Sequence, residues 1–296
     1  MKAALLSDRG VVKVAGDDAR SFLHGLVSAD MLELRPGGAR FGGLLTPQGK
    51  IIADFIATEA AEKDGGGFFL DVARERAKPL VDRFNLYKLR SRVMVEDLSE
   101  VLGVVAAWDG AGVTSAGLAC PDPRLPALGM RIMLPPHRAA DAAADLGSTL
   151  VDESQYEAHR IALGIPRGGL DFGYGDAFPH EADMDQLGGV DFEKGCYVGQ
   201  EVVSRMEHRG IARTRTVTVD YDGAAPQAGA PITAGGRQVG TMGSAAGGHG
   251  LALLRLDRTA EALSRGEELL AGDVPVRPIK PDWARFAFPD SAKAAE

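Results

Sequence analysis

One cysteine of this chain stands in a sequence context that favours chemistry. Cys196 lies in residues 194–201 (KGCYVGQE), with Gly195 before it and Gly199 after it. Glycines on both sides permit a tight turn and the close approach of another molecule. Residues 200–205 can begin a helix, and a helix N-terminus and Lys194 both favour the thiolate form of a nearby thiol. The spacing fits a reactive cysteine and a small buried cysteine equally well.

Other chemical interpretations of the cysteines have less support. A Cys–His hydrolase would need a base and a group that orients it, and His208 lies downstream without an identifiable orienting group. Cys120 is remote from Cys196 and is interpreted as structural, and the chain has neither a Cys-x-x-Cys pair nor a close pair of histidines. It therefore lacks the ligands of a standard zinc site or of a complete iron–sulfur cluster site, and we expect no metal. His180 and His208 are interpreted as surface residues, or as residues that support a site without contacting its ligand, rather than as metal ligands.

The composition favours a folded protein of more than one domain. Its 296 residues lie near the length at which one core stops growing, so two or three packed units are expected. Hydrophobic residues make up 45% of the chain and charged residues 25%, which supports a sizeable core. The net charge of −8 argues against nonspecific binding to nucleic acid or to an anionic membrane. We therefore expect no DNA and no membrane partner.

Three features favour a cytoplasmic location. No apolar stretch is long enough to span a bilayer, and the N-terminus lacks the long apolar segment of a signal peptide. The same residues are not an Arg-rich transit peptide. Only two cysteines occur, far apart, which does not suggest a disulfide framework, so a reducing cytoplasm is expected.

The hydrophobic periodicity predicts an α+β fold with a β-rich end. We expect an N-terminal α+β lobe at residues 1–92, a second α+β lobe with the cysteine motif at 93–208, and a β-barrel-like domain at 209–296, with the possibility that the lobes interleave. Strands are predicted at 11–14, 41–45, 51–58, 68–72, 93–95, 101–107, 131–134, 214–219 and 274–276, and helices at 19–27, 75–89, 137–146 and 153–163. Residues 164–179, rich in glycine, are predicted to form an irregular loop.

The cysteine motif carries a resemblance to a known family. Residues 194–201 match the signature Lys-Gly-Cys-Tyr-x-Gly-Gln-Glu of the YgfZ family, folate-binding proteins that help maintain iron–sulfur enzymes. Residues 18–26 (DARSFLHGL) resemble the family's N-terminal helix, and residues 156–166 (YEAHRIALGIP) its Arg-x-x-x-Gly-Ile-Pro segment. The chain is especially similar to the mitochondrial iron–sulfur assembly branch, which is related to the glycine-cleavage T-protein, a tetrahydrofolate-dependent aminomethyltransferase. This relationship implies a three-lobed, ring-like α+β architecture around a folate cleft, with a C-terminal β-barrel.

The resemblance assigns two residues to the folate cleft. Residues 46–54 (TPQGKIIAD) resemble the T-protein segment that ends in its catalytic aspartate, and Asp54 matches that residue. A carboxylate there can orient an amine or hold developing positive charge. The alternative for Asp54 is an edge position that faces solvent. Phe41 stands where the T-protein tends to have a tyrosine, and it either stacks on the pterin or belongs to the core.

Further ligand contacts are expected on the same grounds. Glu181 resembles a position of the assembly-factor branch and would face the cleft, unless it is an exposed loop acid. Arg205, with Arg209 nearby, would receive the anionic glutamate tail of folate, since guanidinium groups bind carboxylates. Ala162 stands where the T-protein has a pterin-recognising glutamate, which weakens the case for aminomethyl transfer. Contacts from the cysteine motif are assigned to Lys194, Tyr197, Gln200 and Glu201.

Three functional hypotheses follow from the resemblance. The leading one is a tetrahydrofolate-binding accessory protein for iron–sulfur protein assembly or repair, whose partners are folate and iron–sulfur client or assembly proteins. Cys196 and Asp54 are its predicted catalytic residues, and Cys196 would act through redox chemistry, transient cluster ligation or transfer to a partner. The alternative is an enzyme, a folate-dependent aminomethyltransferase or other one-carbon transferase. A third is a noncatalytic scaffold whose β-rich tail docks a client protein.

Overall fold

The computed structural model describes residues 1–110, 112–210 and 212–287. The end of the predicted C-terminal domain, residues 288–296, lies outside the described residues. The helices are α1 (Ala19–Leu26), α2 (Arg74–Tyr87), α3 (Ala139–Asp145), α4 (Glu153–Ala162), α5 (Gln200–Arg209) and α6 (Leu256–Ser264). The strands are β1 (Lys2–Leu6), β2 (Arg9–Ala15), β3 (Ala39–Leu45), β4 (Ile51–Glu59), β5 (Phe68–Ala73), β6 (Met94–Asp97), β7 (Gly103–Trp108), β8 (Leu118–Pro121), β9 (Met130–Leu134), β10 (Thr149–Leu150), β11 (Thr214–Tyr221), β12 (Pro231–Ala234), β13 (Arg237–Ala246), β14 (His249–Arg255), β15 (Leu269–Ala271) and β16 (Val274–Ile279).

The chain divides into two compact units. The first consists of Met1–Tyr156 and Leu187–Gln200, and the second of Glu157–Gln186 and Glu201–Glu296. Residues 194–200 of the cysteine motif thus belong to the first unit, and Glu201 belongs to the second. No helix among the described residues is long and apolar enough to cross a membrane. The division into domains at 1–92, 93–208 and 209–296 stays a prediction.

The first unit contains an antiparallel sheet in the order β3-β4-β5-β2-β6. Alternation along each strand gives this sheet two different faces. One face is apolar and packs against α1 and α2, with Phe22, Phe55 and Leu80 among its buried side chains. The opposite face is more polar, because it carries Asp54 and Asp71. Asp71 is paired with Ile56, which is paired with Phe41, and Asp54 lies two residues from Ile56 on the same side of β4. This polar face holds two of the predicted site residues.

A second sheet of the first unit has the order β10-β1-β7-β9-β8. Its apolar face packs against α3, whose buried alanines lie in one cluster with Val105 and Ile132. The sequence pattern does not predict β1, because its unbroken apolar run of four residues, 3–6, fits a strand and a buried helix equally well. β1 pairs with β7, about a hundred residues later, so the chain begins in this second sheet.

The second unit contains a closed barrel in the order β11-β14-β13-β12-β15-β16. Pairing of β16 with β11 closes it. Closure leaves no exposed sheet edge, and the inward-facing residues of each strand fill the interior, with α6 packed beside them. The predicted C-terminal β-barrel is confirmed.

Candidate functional site

The cysteine motif forms a loop that exposes its thiol. Cys196 is exposed, whereas Cys120 is buried in the first unit. The side chain of Lys194, just before the thiol, is turned inward and only 7% exposed. Its Nζ donates hydrogen bonds to the carbonyl oxygens of His24 (2.6 Å), Val27 (2.7 Å) and Ala29 (2.9 Å). An ammonium group has three donors, so all of them serve to hold the loop.

Lys194 therefore has a structural role that its position in the motif did not predict. Burial lowers its pKa to about 8, although Asp30 and Asp191 act in the opposite direction. A contact between Lys194 and folate would require one of the three backbone hydrogen bonds to be exchanged. That contact stays a prediction.

The residues before Cys196 are held by a second set of hydrogen bonds. Oδ1 of Asp191 accepts from the backbone N–H groups of Glu193 and Lys194, both at 2.9 Å. Ser28 joins the same loop to the segment after α1, since its hydroxyl donates to the carbonyl oxygen of Gly189 at 2.6 Å. The backbone on the N-terminal side of the thiol is thus fixed from two directions.

The two glycines of the motif have different roles. Gly199 has φ of +84°, and a Cβ there would lie 2.4 Å from the carbonyl oxygen of Thr46. Only glycine permits this close packing of the loop on the turn between β3 and β4. The nearest atom to a Cβ on Gly195 would instead be Nε2 of His24, at 4.0 Å. Gly195 therefore leaves open space beside Cys196, and Gly199 docks the loop.

His24 is a neighbour of the thiol loop that sequence reasoning missed. Its Nδ1 lies 3.1 Å from Oδ1 of Asp30, and its Nε2 points toward Gly195. His208, the histidine considered from the sequence, is exposed on α5. No local spacing links His24 to a motif about 170 residues away, so only the fold reveals this pair.

Tyr197 lies next to the thiol but faces the interior. It is 7% exposed, and Nζ of Lys194 lies 5.1 Å from its ring centre. Its buried hydroxyl has no hydrogen-bond partner among the described residues. Burial, with a further contribution from Asp191, raises the pKa of Tyr197 to about 12. The hydroxyl is therefore a neutral donor that a bound ligand or water can satisfy.

Asp54 and Phe41 lie on the polar face of the first sheet. Both are 6% exposed, so the solvent-facing alternative for Asp54 is wrong. The guanidinium of Arg124 lies 5.6 Å from the centre of the Phe41 ring. Burial lowers the pKa of Arg9, but the negative charges of Asp71 and Asp54 outweigh this effect. The pKa of Arg9 is therefore raised. Asp54 thus belongs to a buried environment with positive charge nearby.

A buried ionic network surrounds this region and was not predicted. Asp71 accepts from Arg9 Nε (2.5 Å) and from Arg131 Nη1 (3.2 Å). Arg131 also donates to Asp122 (3.1 Å) and to the hydroxyl of Tyr156 (2.6 Å). The network pairs residues of β5 and β9, so it links the two sheets of the first unit. Its members extend along the chain from Arg9 to Tyr156, a separation that no local motif reveals.

The Arg-x-x-x-Gly-Ile-Pro segment has a structural role in the second unit. Arg160 is 2% exposed and donates to Asp171 (2.9 Å) and to the hydroxyl of Ser244 (2.8 Å), with further bonds to Glu157 and the carbonyl of Ile165. Ala162, at the position of the T-protein glutamate, is exposed and offers no acceptor from its side chain. The segment therefore anchors a loop to β13.

The remaining predicted residues lie near α5. Glu181 and Arg205 line one cleft of about 450 Å³ in the second unit, together with Arg213 and Arg255. Glu181 is half-buried, and its Oε2 accepts from the backbone N–H of Phe178 at 2.8 Å. Arg205 forms an ion pair with Glu201 at 2.5 Å, and both side chains are largely exposed. Gln200, the first residue of α5, is half-buried and belongs to the first unit.

Comparisons with known proteins support the fold and point to a family. Residues 213–286 match the family model "CAF17, C-terminal beta-barrel domain". The chain also resembles the solved structure of glycine cleavage system aminomethyltransferase T from Bartonella henselae, with a TM-score of 0.75 and 18% identity over 97% of this chain and 87% of that one. The predicted T-protein-type α+β fold with a C-terminal barrel is confirmed.

Three curated relatives of this chain share the name of one iron–sulfur cluster assembly factor. The iron–sulfur cluster assembly factor IBA57 homolog of Mycosarcoma maydis is 39% identical over 232 residues, which cover 74% of this chain and 57% of that protein. The homolog of Coccidioides immitis is 30% identical over 98% of this chain and 79% of its own length. Human IBA57 is 29% identical over 94% of this chain and 84% of its own length. These names agree with the assembly-factor branch indicated by the motif, whereas the broader YgfZ label stays an interpretation.

The expected cytoplasmic location is wrong by the same comparison. The relatives from Mycosarcoma maydis, Coccidioides immitis and Homo sapiens are all named as mitochondrial proteins. Two unpaired cysteines indicate only a compartment that keeps thiols reduced, and they do not distinguish one such compartment from another.

Proposed function

Since the chain belongs to the IBA57 family of iron–sulfur cluster assembly factors, we propose that it assists the assembly or repair of iron–sulfur proteins through the thiol of Cys196, with tetrahydrofolate or a derivative as its ligand. Its partners are then a reduced folate and iron–sulfur client or assembly proteins. In this proposal the iron–sulfur cluster is the cargo, and the thiol contacts the cluster or the protein that carries it.

The observation that carries the proposal is an exposed thiol on a fixed backbone. Three hydrogen bonds from Lys194 hold one side of the loop, and the packing of Gly199 on the turn at Thr46 holds the other. A cysteine used only for packing is normally buried, as Cys120 is. Holding a reactive side chain on a preorganised backbone is typical of functional sites. Redox chemistry, transient cluster ligation and transfer to a partner all need this accessible thiol.

The folate part of the proposal depends on the polar face of the first sheet. A reduced folate offers amine nitrogens that the buried carboxylate of Asp54 can hold, and a flat pterin that can stack on Phe41. The unsatisfied hydroxyl of Tyr197 is a further donor in the same unit. These residues fit a folate ligand. The binding roles of Glu181, Gln200, Glu201 and Arg205 belong to the same proposal.

Aminomethyl transfer is the second candidate, and two observations support it while two argue against it. The fold matches that of an aminomethyltransferase, and Asp54 is present and buried. The exposed methyl group of Ala162 replaces the glutamate that would recognise the pterin, and the exposed thiol of Cys196 has no part in such a transfer. The accessory role therefore has more support than the transferase, and more than a scaffold that uses neither folate nor thiol.

One experiment separates the three functions. Tetrahydrofolate is titrated into the wild type, Asp54→Asn and Cys196→Ala, and each variant is then tested for support of an iron–sulfur enzyme in cells that lack the endogenous factor. The accessory role predicts that Cys196→Ala binds folate normally and fails in cells. Full complementation by Cys196→Ala would reject the thiol. Turnover of an aminomethyl donor would favour the transferase, and complementation without any folate binding would favour the scaffold.

A further inference from the structure

Three potential metal ligands lie close together in the second unit, and none of them has a role in the proposed function. The ligand atoms of His180, Asp185 and Glu207 all lie within 4.8 Å of one another. Nε2 of His180 is 3.0 Å from Oε2 of Glu207. The side chains of His180 and Asp185 are 1% and 2% exposed, and that of Glu207 is 44% exposed. The cluster therefore has two buried members and one that opens toward solvent.

Arg215 fixes the buried carboxylate of this cluster. Its Nη1 and Nη2 donate to the two oxygens of Asp185 at 2.9 and 2.8 Å. Oδ2 of Asp185 also accepts from Nε2 of Gln186 at 2.7 Å. Each carboxylate oxygen has two lone pairs, so Oδ1 of Asp185 keeps acceptor capacity. The ring of Phe286 lies 4.6 Å from the guanidinium carbon of Arg215 and helps to hold that group. Hydrogen bonds of this kind orient the ligands of metal sites from behind.

The charge around the cluster favours a cation. Asp183 shares Nη1 of Arg215 with Asp185, at 3.0 Å, and its side chain is fully buried. The other oxygen of Asp183 has no hydrogen-bond partner among the described residues. Asp185 and Glu207 bring two carboxyl groups to the cluster, and the guanidinium of Arg215 contacts Asp185. A divalent ion would bring further positive charge to these carboxyl groups, beside the imidazole of His180.

We propose that His180, Asp185 and Glu207 form a mononuclear binding site for a divalent transition-metal ion of the zinc or manganese type. One imidazole and two carboxylates suit Zn²⁺ and Mn²⁺, whereas the lack of thiolate argues against Cu⁺ and iron–sulfur clusters at this place. The exposed position of Glu207 provides an entry path and leaves room for water as a further ligand. The sequence did not indicate this site, because positions 180, 185 and 207 match no ligand spacing that is known for zinc.

The test is a titration of metal-free protein with ZnCl₂ and with MnCl₂ by calorimetry. We expect one equivalent of at least one of the two ions to bind to the wild type and equally to Cys196→Ala, which shows that the thiol is not the ligand. Glu207→Gln changes a partly exposed residue and should keep the fold, yet it should weaken binding by at least about tenfold. Glu268→Gln is the matched control, because Glu268 is exposed and outside the cluster, and it should bind as the wild type does.

A second measurement guards against a misfolded variant. His180→Asn should abolish binding while circular dichroism shows retained secondary structure, and Co²⁺ bound to the wild type should give visible absorption bands that Glu207→Gln alters. The proposal is overturned if neither ion binds with one-to-one stoichiometry, if Glu207→Gln binds as tightly as the wild type, or if binding disappears in Cys196→Ala.

Discussion

Nζ of Lys194 donates a hydrogen bond of 2.7 Å to the carbonyl oxygen of Val27, and this contact joins the cysteine loop to the end of helix α1. Residues 167 positions apart are thereby held together. The exposed thiol of Cys196 thus stands on a loop that a buried lysine ties to α1. Lys194 therefore fixes the backbone beside the thiol through its contacts with three backbone carbonyl oxygens.

The first prediction concerns this anchor. Lys194→Met should lower the free energy of unfolding by about 2–4 kcal/mol, because it leaves three buried carbonyl oxygens without their donor. Urea denaturation measures the change, and Lys63→Met, at an exposed position, serves as the control. If the two variants unfold at the same urea concentration, Lys194 does not hold the loop.

The second prediction is a pH dependence that belongs to the same residue. The pKa of Lys194 is about 8 in the folded protein, against 10.5 for an unperturbed lysine. Between these values the unfolded chain binds more protons, so the free energy of unfolding rises with pH. The penalty for burying the charge is fully present below about pH 8 and is relieved above it.

Denaturation at pH 7 and at pH 9 tests this dependence. The wild type should gain about 1 kcal/mol over this interval relative to Lys194→Met. The window ends at pH 9 because the raised pKa of Tyr197 acts in the opposite direction once an unfolded tyrosine ionises near pH 10. An equal pH response of the two proteins would show that Lys194 keeps its ordinary pKa.

The third prediction concerns folate. Tetrahydrofolate should raise the midpoint of thermal unfolding of the wild type, since a ligand that binds only the folded state stabilises it. Asp54→Asn should weaken folate binding by about tenfold or more, because a hydrogen bond to a charged group contributes about 1.5–3 kcal/mol. Asp82→Asn, at an exposed position of α2, is the control. Unchanged affinity in Asp54→Asn would remove that residue from the site.

Local patterns predicted much of the fold. The apolar run of β4 after the turn at 47–49, the alternating residues of β11 and the apolar spacing of α1 place these elements close to their observed bounds. β1 was missed, since an apolar run of four residues carries no period. The order of strands in the two sheets could not be read, because pairing across a hundred residues leaves no trace in one sequence.

The candidate site was predictable only where a motif is contiguous. Residues 194–201 identify Cys196 directly, and glycine chemistry explains Gly199. The anchoring role of Lys194, the proximity of His24 and the cluster at His180, Asp185 and Glu207 all depend on contacts between distant segments. A long side chain that donates to backbone carbonyls has no sequence signature at all, since any residue type can supply a carbonyl oxygen.

The last prediction compares the two thiols. Burial, assisted by Asp71 and Asp122, raises the pKa of Cys120 to about 12, so almost none of it is thiolate near neutral pH. Cys196 is exposed and should react with iodoacetamide at least about a hundredfold faster at pH 7.5. Mass spectrometry of the labelled peptides measures both rates. In urea the difference should largely disappear, because unfolding exposes Cys120.

Alanine variants of both cysteines complete the comparison. Cys196→Ala should keep its stability within about 0.5 kcal/mol, since it changes an exposed residue, and it should lose support of iron–sulfur enzyme activity. Cys120→Ala should lose about 1–2 kcal/mol through the cavity it leaves, and it should retain that support. The opposite pattern, with slow labelling of Cys196, an unstable Cys196→Ala and full complementation by it, would show that the motif cysteine is structural. Because each variant serves as the control for the other, a general loss of folding cannot imitate the expected result.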